Sequence, residues 1–195
     1  MTVAAPPALE RPLTYDDLAA MPDDGKRYEL INGELFELTG PTPKHQWTSG
    51  GLYNRLRPFV LDNELGLVYY APINVYFTPH IVVQPDVVFV GRERAGIIRV
   101  GKIEGAPDLL MEILSPGTRR HDMITKAAIY AAFGVREYWL ADPGKETILV
   151  QTAIDGVFVP VESPDGIARS VLLPGFEVNP VEVFAMPAWA RDLGL

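Results

Sequence analysis

The chain has 195 residues, of which 48% are hydrophobic and 22% are charged, and its net charge at pH 7 is −8. This length suits one folded domain, and this composition excludes an intrinsically disordered chain. Cysteine is absent, which excludes disulfides and thiolate metal sites. We find no signal-peptide pattern and no run of about 18 apolar residues, so we expect a cytoplasmic protein that does not enter a membrane.

The beginning of the chain predicts a tail, a short helix and a hairpin. Residues 1–12 are rich in proline and alanine and are expected to form a flexible tail, followed by a single domain over 13–195. Thr14 is a typical N-cap residue for a short helix that ends near Met21. Asn32-Gly33 between two alternating apolar runs predicts a β-hairpin.

The middle of the chain predicts a second helix and several strands. Apolar residues at helical spacing favour a helix from about Lys44 to Leu61. Three β-type runs lie between Leu67 and Val90, and the polar segment Arg92–Glu104 is expected to form a loop at the sheet edge. The nearly continuous apolar run at 107–115 predicts a central strand that is buried on both faces.

The last part of the chain predicts a third helix and further strands. Asp122 is expected to cap a helix that continues to about Phe133, and Gly134 suits its C-terminal end. We predict a buried strand at 137–142, hairpin strands between 146 and 173, and a helical turn at 180–185. This order of elements indicates an α/β (α+β) domain with a central mixed β-sheet flanked by helices.

Three charged residues in apolar surroundings form the strongest functional signal. Asp86 precedes the run VVFV, Glu112 lies within LLMEILS, and Lys126 opens the run KAAIYAAF. Acidic side chains are rarely buried unless they are paired or bind a metal. Two carboxylates on neighbouring strands favour a Mg²⁺ site, with Mn²⁺ as an alternative and the Ile113 backbone carbonyl as a further ligand. Such a site hydrolyses phosphodiester bonds, and the lysine stabilises developing charge or positions the attacking water.

Two of these residues also have a purely structural interpretation. Asp86 follows a proline and suits a turn or an edge strand. Lys126 suits an ion pair with Asp122, four residues earlier, on a solvated helix face. Glu112 has no comparable alternative, because a glutamate inside an apolar strand must find a partner.

The chain resembles the Uma2 family, also called DUF820, from about Thr14 to Phe184. The resemblance is carried by the segments YELINGEL, PKHQ, QPDVVFV, PDLLMEILSPGTRRHD, KAAIY and GVREYWLADP. It implies a restriction-endonuclease-like fold of the PD-(D/E)XK nuclease superfamily, with extra N-terminal and C-terminal β-hairpins. It also implies Mg²⁺-dependent cleavage of DNA.

The resemblance assigns the acidic pair and departs from the superfamily pattern at the lysine. Pro85-Asp86 is similar to the PD of the superfamily, and Glu112 is similar to its (D/E). The lysine expected two residues later is replaced by Leu114. The family pattern offers Lys126 on the following helix instead.

The resemblance adds three assisting residues. Glu29 and His45 match a family glutamate and histidine that would support catalysis or the metal, and Gln84 is a weaker candidate of the same kind. Taken alone, Glu29 suits an exposed hairpin position and His45 a surface position at a helix start.

The leading hypothesis is therefore a metal-dependent endonuclease that acts on DNA. A homodimer is expected, because cutting both strands of a duplex is simplest with two symmetric sites. The second hypothesis is a non-catalytic binding or assembly protein that keeps the nuclease fold, which the acidic balance and Leu114 favour. The third is a metal-dependent hydrolase of a small phosphoester, which would explain the lack of a basic surface.

Overall fold

A computed structural model describes residues 11–193 of the chain. Residues 1–10, which make up most of the expected tail, lie outside the described residues. Arg11 donates two hydrogen bonds of 2.8 Å to the carboxylate of Asp17 in the first helix. Across residues 11–193, we find no helix long and apolar enough to cross a membrane.

The described part of the chain contains strands and helices in the following order. The helices are α1 (Tyr15–Ala19), α2 (Pro43–Asp62), α3 (Ala127–Ala132) and α4 (Pro180–Phe184). A turn of π-helix, His121–Lys126, leads directly into α3, and 3₁₀ helices occupy Arg92–Ile97 and Ala188–Leu193. The strands are β1 (Arg27–Ile31), β2 (Glu34–Leu38), β3 (Gly66–Tyr70), β4 (Asn74–Thr78), β5 (Ile81–Val83), β6 (Val87–Gly91), β7 (Ile98–Arg99), β8 (Lys102–Glu104), β9 (Leu109–Ile113), β10 (Glu137–Asp142), β11 (Thr147–Ile154), β12 (Val157–Pro160), β13 (Ala168–Arg169) and β14 (Glu177–Val178).

The central sheet is mixed, as the sequence predicts. Its strand order is β12-β11-β10-β9-β6-β3. β9 and β10 are parallel, whereas the other neighbours are antiparallel. Every residue of β9 and β10 is buried, which confirms the two strands predicted from continuous apolar runs.

A second six-stranded sheet contains the N-terminal hairpin, and we call it the N-terminal sheet. Its order is β2-β1-β5-β4-β8-β7. Asn32 and Gly33 have φ angles of 53° and 81°, as a tight two-residue hairpin turn requires, so the predicted hairpin is confirmed. It belongs to this larger sheet and is not a separate extension.

Each face of the central sheet has its own apolar layer. α2 covers one face with Leu52, Leu56, Phe59 and Val60, the apolar residues at helical spacing that favoured this helix, together with α4. The other face packs against the N-terminal sheet and α3, through residues that include Val75, Val88, Leu110, Tyr130 and Tyr138. Alternate residues of β9 point to opposite faces, so Glu112 points into the second layer, between the two sheets.

Three local predictions need correction. The segment Arg92–Glu104 is not a loop, because its backbone forms a 3₁₀ helix and a short hairpin, β7 and β8, whose second strand pairs with β4. Asp122 does not cap its helix: the helix begins at His121, and Asp122 is buried within its first turn. The strand predicted at 168–173 is only two residues long and pairs with β14.

The hairpin turn provides a test of the packing between the chain start and β1. An alanine Cβ at Gly33 would lie 2.8 Å from Pro12 Cα, whereas one at Gly25 would meet nothing within 4 Å. Both glycines have φ near 80°. We expect Gly25→Ala to cost about 1–2 kcal/mol for the left-handed backbone alone. Gly33→Ala should cost about 1–3 kcal/mol more, because the methyl group also overlaps Pro12.

Urea denaturation of the two variants and the wild type measures this difference. Equal free energies of unfolding for Gly33→Ala and Gly25→Ala would contradict the packing of Pro12 against the turn.

Candidate active site

Asp86 and Glu112 face each other across two neighbouring strands. β6 and β9 are antiparallel with Val87 opposite Met111, and one further step of this register places Asp86 opposite Glu112. Residues opposite each other in such a pair have Cβ atoms about 4.5–5.5 Å apart. The Ile113 amide donates a 2.8 Å hydrogen bond to Asp86 Oδ2. The structure therefore brings together the two carboxylates that the sequence singled out.

Lys126 lies among three buried carboxylates, and we call these four residues the acid–lysine cluster. Its Nζ is 2.8 Å from Glu29 Oε1, 3.1 Å from Glu112 Oε1 and 3.4 Å from Asp122 Oδ1. All four side chains are at most 5% exposed. Because isolated buried charges are costly, these groups must compensate one another. The ion pair with Asp122 that the sequence offered as an alternative is present, but it is buried within the cluster.

One helix face carries the two groups that bind Glu112, and Asp122, which binds one of them. Asp122, Lys126 and Tyr130 follow one another at intervals of four residues along the helix that spans His121–Ala132. The Tyr130 hydroxyl donates a 2.8 Å hydrogen bond to Glu112 Oε1, the oxygen that also accepts from Lys126. Oε2 of Glu112 is thus the oxygen left for a ligand.

Glu29 supports Lys126 from the N-terminal sheet. It is fully buried on β1, so its interpretation as an exposed hairpin residue is wrong. Its Oε1 accepts a 2.7 Å hydrogen bond from the backbone N–H of Gln84 and also contacts Lys126. Its Oε2 lies 3.9 Å from His121 Nε2, and neither atom has a hydrogen-bond partner among residues 11–193.

His45 approaches Asp86 from the first turn of α2. Thr42 caps this helix, because its side chain accepts a 3.2 Å hydrogen bond from the His45 amide. His45 Nε2 lies 3.3 Å from Asp86 Oδ2. Its Nδ1 is buried without a hydrogen-bond partner in the described part of the chain. The structure thus places His45 in direct contact with one carboxylate of the pair.

Burial and an excess of acids set the protonation states of the cluster. Burial raises the pKa of Glu112 well above its usual range. The Lys126 ammonium opposes this shift, and the carboxylates of Asp122, Asp86 and Glu29 add to it. Burial alone would lower the pKa of Lys126, but Glu112, Glu29 and Asp122 raise it well above its usual value. The ammonium therefore stays charged. Burial also raises the pKa of Asp122, so one cation faces carboxyl groups that ionise less readily than they would in water.

A cavity of about 570 Å³ opens beside this cluster. It lies at the carboxyl ends of the parallel strands β9 and β10, where ligands usually bind in α/β sheets. Glu29 does not reach it and lies behind Lys126. The lining includes the other predicted residues, namely His45, Gln84, Asp86, Glu112, Ile113 and Lys126, and also Leu114, which stands at the position of the expected lysine.

A salt bridge fixes one wall of the cavity. The loop after β9 contributes Ser115–Thr118, and the turn after β10 contributes Pro143-Gly144. Arg119 joins the two by donating a 2.6 Å hydrogen bond to Asp142 Oδ2, and the Asp142 side chain is 6% exposed. The wall is therefore built on strand ends and a half-buried ion pair.

The donor set fits a cation that uses few protein ligands. No group of three or more His, Asp or Glu side chains within residues 11–193 is arranged to hold a metal ion. Mg²⁺ commonly takes one or two carboxylates and keeps several waters. Asp86 and Glu112 supply two carboxylates. The Ile113 carbonyl points to the same strand edge as its amide, which faces Asp86.

Sequence reasoning missed two members of this site and misplaced a third. Tyr130 could have been found, because it follows Lys126 by four residues and so extends the same helix face. Asp122 was predicted to cap the helix, with an ion pair to Lys126 on a solvated face as the alternative; it does contact Lys126, but within the buried cluster. His121 lies 3.9 Å from Glu29, and nothing in the local sequence indicates that these two segments meet.

The fold and the site define a nuclease-like α/β domain. The chain is similar to a crystal structure described as a putative nuclease belonging to DUF820 from Anabaena variabilis, with a TM-score of 0.73 and 20% identity. The match covers 89% of this chain and 98% of the other. The sequence profile of the Uma2 family, described as "putative restriction endonuclease", matches residues 15–183. The chain therefore belongs to the Uma2 family. No curated protein matches it.

The acid–lysine cluster predicts a pH-dependent effect of removing its cation. Lys126→Met leaves three buried carboxylates without compensation and should cost about 3–5 kcal/mol near neutral pH. Burial already raises the pKa of Glu112 and of Asp122 above the values of the unfolded chain, and removing the ammonium would raise both further, so folding binds protons. The loss of stability should therefore shrink as the pH falls from about 7.5 to about 5.5.

Urea denaturation at both pH values, with EDTA present, measures this effect. Lys102→Met is the control, because Lys102 contacts two tyrosine rings and no carboxylate. It should cost about 0.5–1 kcal/mol at either pH. A large loss for Lys126→Met that does not change with pH would contradict the electrostatic origin of the cluster's stability.

Proposed function

We propose that this protein is a metal-dependent endonuclease that hydrolyses DNA phosphodiester bonds in the cavity at the ends of β9 and β10. The observation that carries the proposal is the meeting of Asp86 and Glu112 at this cavity, with the Lys126 ammonium 3.1 Å from Glu112. The family description and the nuclease-like fold support it.

Mg²⁺, or Mn²⁺ in its place, is the cation that suits this donor set. Asp86, Glu112 and the Ile113 carbonyl would hold it. When bound, such a cation polarises a phosphoryl oxygen and lowers the pKa of a coordinated water. Asp86 Oδ2 is oriented by the Ile113 amide and by His45, which leaves Oδ1 as the ligand oxygen.

The side chains of the protein would prepare the cavity for a phosphate. Lys126 carries a fixed positive charge because its pKa is raised by the surrounding carboxylates. A preorganised cation stabilises charge that develops on a phosphate oxygen. Tyr130 holds Glu112 by its 2.8 Å hydrogen bond, and Glu29 holds Lys126. Lys126 on the helix would thus supply the positive charge that the superfamily lysine supplies from the strand position occupied here by Leu114.

A homodimer is part of this proposal for duplex substrates. One site cuts one strand, so cleavage of both strands is simplest with two copies related by a twofold axis. Sedimentation of the protein alone and with a duplex would measure the number of copies.

The cavity also favours a second candidate, a hydrolase of small phosphoesters. Its volume of about 570 Å³ lies within the range of about 300–1,000 Å³ that is typical of small-molecule sites. Hydrolysis of bis-p-nitrophenyl phosphate without any nicking of DNA would favour this candidate.

The acidic pair should be required for cleavage. With supercoiled plasmid and Mg²⁺ or Mn²⁺, we expect Asp86→Asn and Glu112→Gln each to lower the nicking rate at least about 10²-fold, because loss of a metal ligand removes several kcal/mol of transition-state stabilisation. Lys126→Met should lower it about 10²–10³-fold.

Asp108→Asn is the matched control for this assay. Asp108 is also a buried carboxylate, 2% exposed, but it precedes β9 at the end remote from the cavity and pairs with Arg94. Its loss should reduce stability and leave the nicking rate of the folded fraction unchanged. Metal-dependent nicking that survives both Asp86→Asn and Glu112→Gln would contradict the assigned site.

Metal binding should release a proton and so depend on pH. Burial raises the pKa of Glu112, and a carboxyl must be ionised to bind the cation. The affinity for Mn²⁺ should therefore rise with pH, by up to about tenfold per pH unit while Glu112 is protonated in the metal-free protein.

Titration calorimetry in two buffers of different ionisation enthalpy measures both the affinity and the released proton. Glu112→Gln should abolish the proton release. An affinity that does not change with pH, together with no proton release, would contradict this account.

A further inference from the structure

Three half-buried cations have no carboxylate partner. Among the described residues, these are Arg27, Lys44 and Lys102. The other half-buried cations are each paired with an acid, namely Arg55, Arg94 and Arg119. An unpaired charge that is partly removed from water is unfavourable. A set of such cations in a chain with a net charge of −8 points to an anionic ligand.

All three cations line cavities that share lining residues. Lys44 and Arg27 line the cavity of the candidate active site. Arg27 also lines a second cavity of about 290 Å³, and Lys102 lines a third of about 450 Å³. Gln84 lines all three. We call the surface formed by these four residues the basic track.

The N-terminal sheet fixes the length of the basic track. Gln84 donates hydrogen bonds to the Tyr28 carbonyl at 3.4 Å and to Asn74 Oδ1 at 3.1 Å. Asn74 pairs with Lys102. The part of the track from Arg27 to Lys102 therefore crosses β1, β5, β4 and β8, in the order of the sheet. Three strand spacings amount to about 14 Å, which is about four base steps along a nucleic acid.

The Lys102 ammonium is not neutralised by a carboxylate. Its interactions within residues 11–193 are with the rings of Tyr15 and Tyr76, at 4.7 Å and 4.2 Å from their centroids. A row of cations that begins at the candidate active site is complementary in charge to the row of phosphates along a nucleic acid strand.

We propose that the basic track binds the sugar–phosphate backbone of the DNA strand that is cleaved, over about four nucleotides on one side of the scissile phosphate. This inference rests on the proposed nuclease function. Lys44 and Arg27 contact the phosphates next to the cavity, and Lys102 contacts the far end. Phosphate contacts position a strand without reading its sequence, so these residues bind DNA irrespective of sequence.

The salt dependence of binding tests this directly. The probe is a fluorescein-labelled DNA duplex, and its anisotropy is measured with the full chain in EDTA over a series of KCl concentrations. The triple variant Arg27→Gln/Lys44→Gln/Lys102→Gln should weaken binding at least about tenfold and reduce the slope of log K against log salt by about 0.9 per lost contact.

A second triple variant controls for net charge. Arg57→Gln/Arg92→Gln/Arg169→Gln removes the same number of positive charges from exposed positions outside the three cavities. Its slope should equal that of the wild type. Equal losses in the two triple variants, or no binding by the wild type, would overturn the proposal.

The two proposals fail in different ways. If the wild type binds through the track but does not cleave DNA with any divalent metal, the track stands and the nuclease function fails. If the wild type cleaves DNA and the track variant keeps both its affinity and its salt slope, the track alone is overturned.

Discussion

The structure depends on one buried ammonium group. Lys126 extends from the helix after β9 and meets Glu112 of the central sheet and Glu29 of the N-terminal sheet, at 3.1 Å and 2.8 Å. It therefore ties both sheets and a helix together at a single point. Because buried charges are tolerated only when they are paired and hydrogen-bonded, the position of each partner fixes the positions of the others. This constraint fixes the position of Glu112 beside the cavity.

The same cluster explains how an acidic protein could act on a polyanion. Three acids surround one ammonium, so the site holds more negative charge than Lys126 can balance. Burial raises the pKa of Glu112, and the neighbouring carboxylates raise it further. A divalent cation between Asp86 and Glu112 would restore the balance and would at the same time supply the positive charge that attracts a phosphate. In the proposal, the unpaired cations of the basic track would extend that attraction outward from the cavity. Local charge, rather than net charge, would then determine DNA binding.

Local sequence patterns predicted much of this arrangement. The Asn32-Gly33 turn and the buried strands β9 and β10 follow from turn chemistry and from apolar runs, and the isolation of Glu112 in such a run pointed to the candidate site. The patterns failed where partners come from distant segments. The strands within Arg92–Glu104 form because β4 offers an edge to pair with, and Glu29 is buried because the N-terminal sheet packs over the central one. Neither neighbour is visible in the residues themselves.

The central claim is that Asp86 and Glu112 jointly hold a divalent metal beside Lys126. The most direct measurement is anomalous diffraction from crystals of the protein soaked in Mn²⁺. The account predicts a peak within about 2.2 Å of a carboxylate oxygen of each residue, and no such peak in Glu112→Gln crystals. A Mn²⁺ peak bound elsewhere, with Asp86 and Glu112 left without metal, would contradict it.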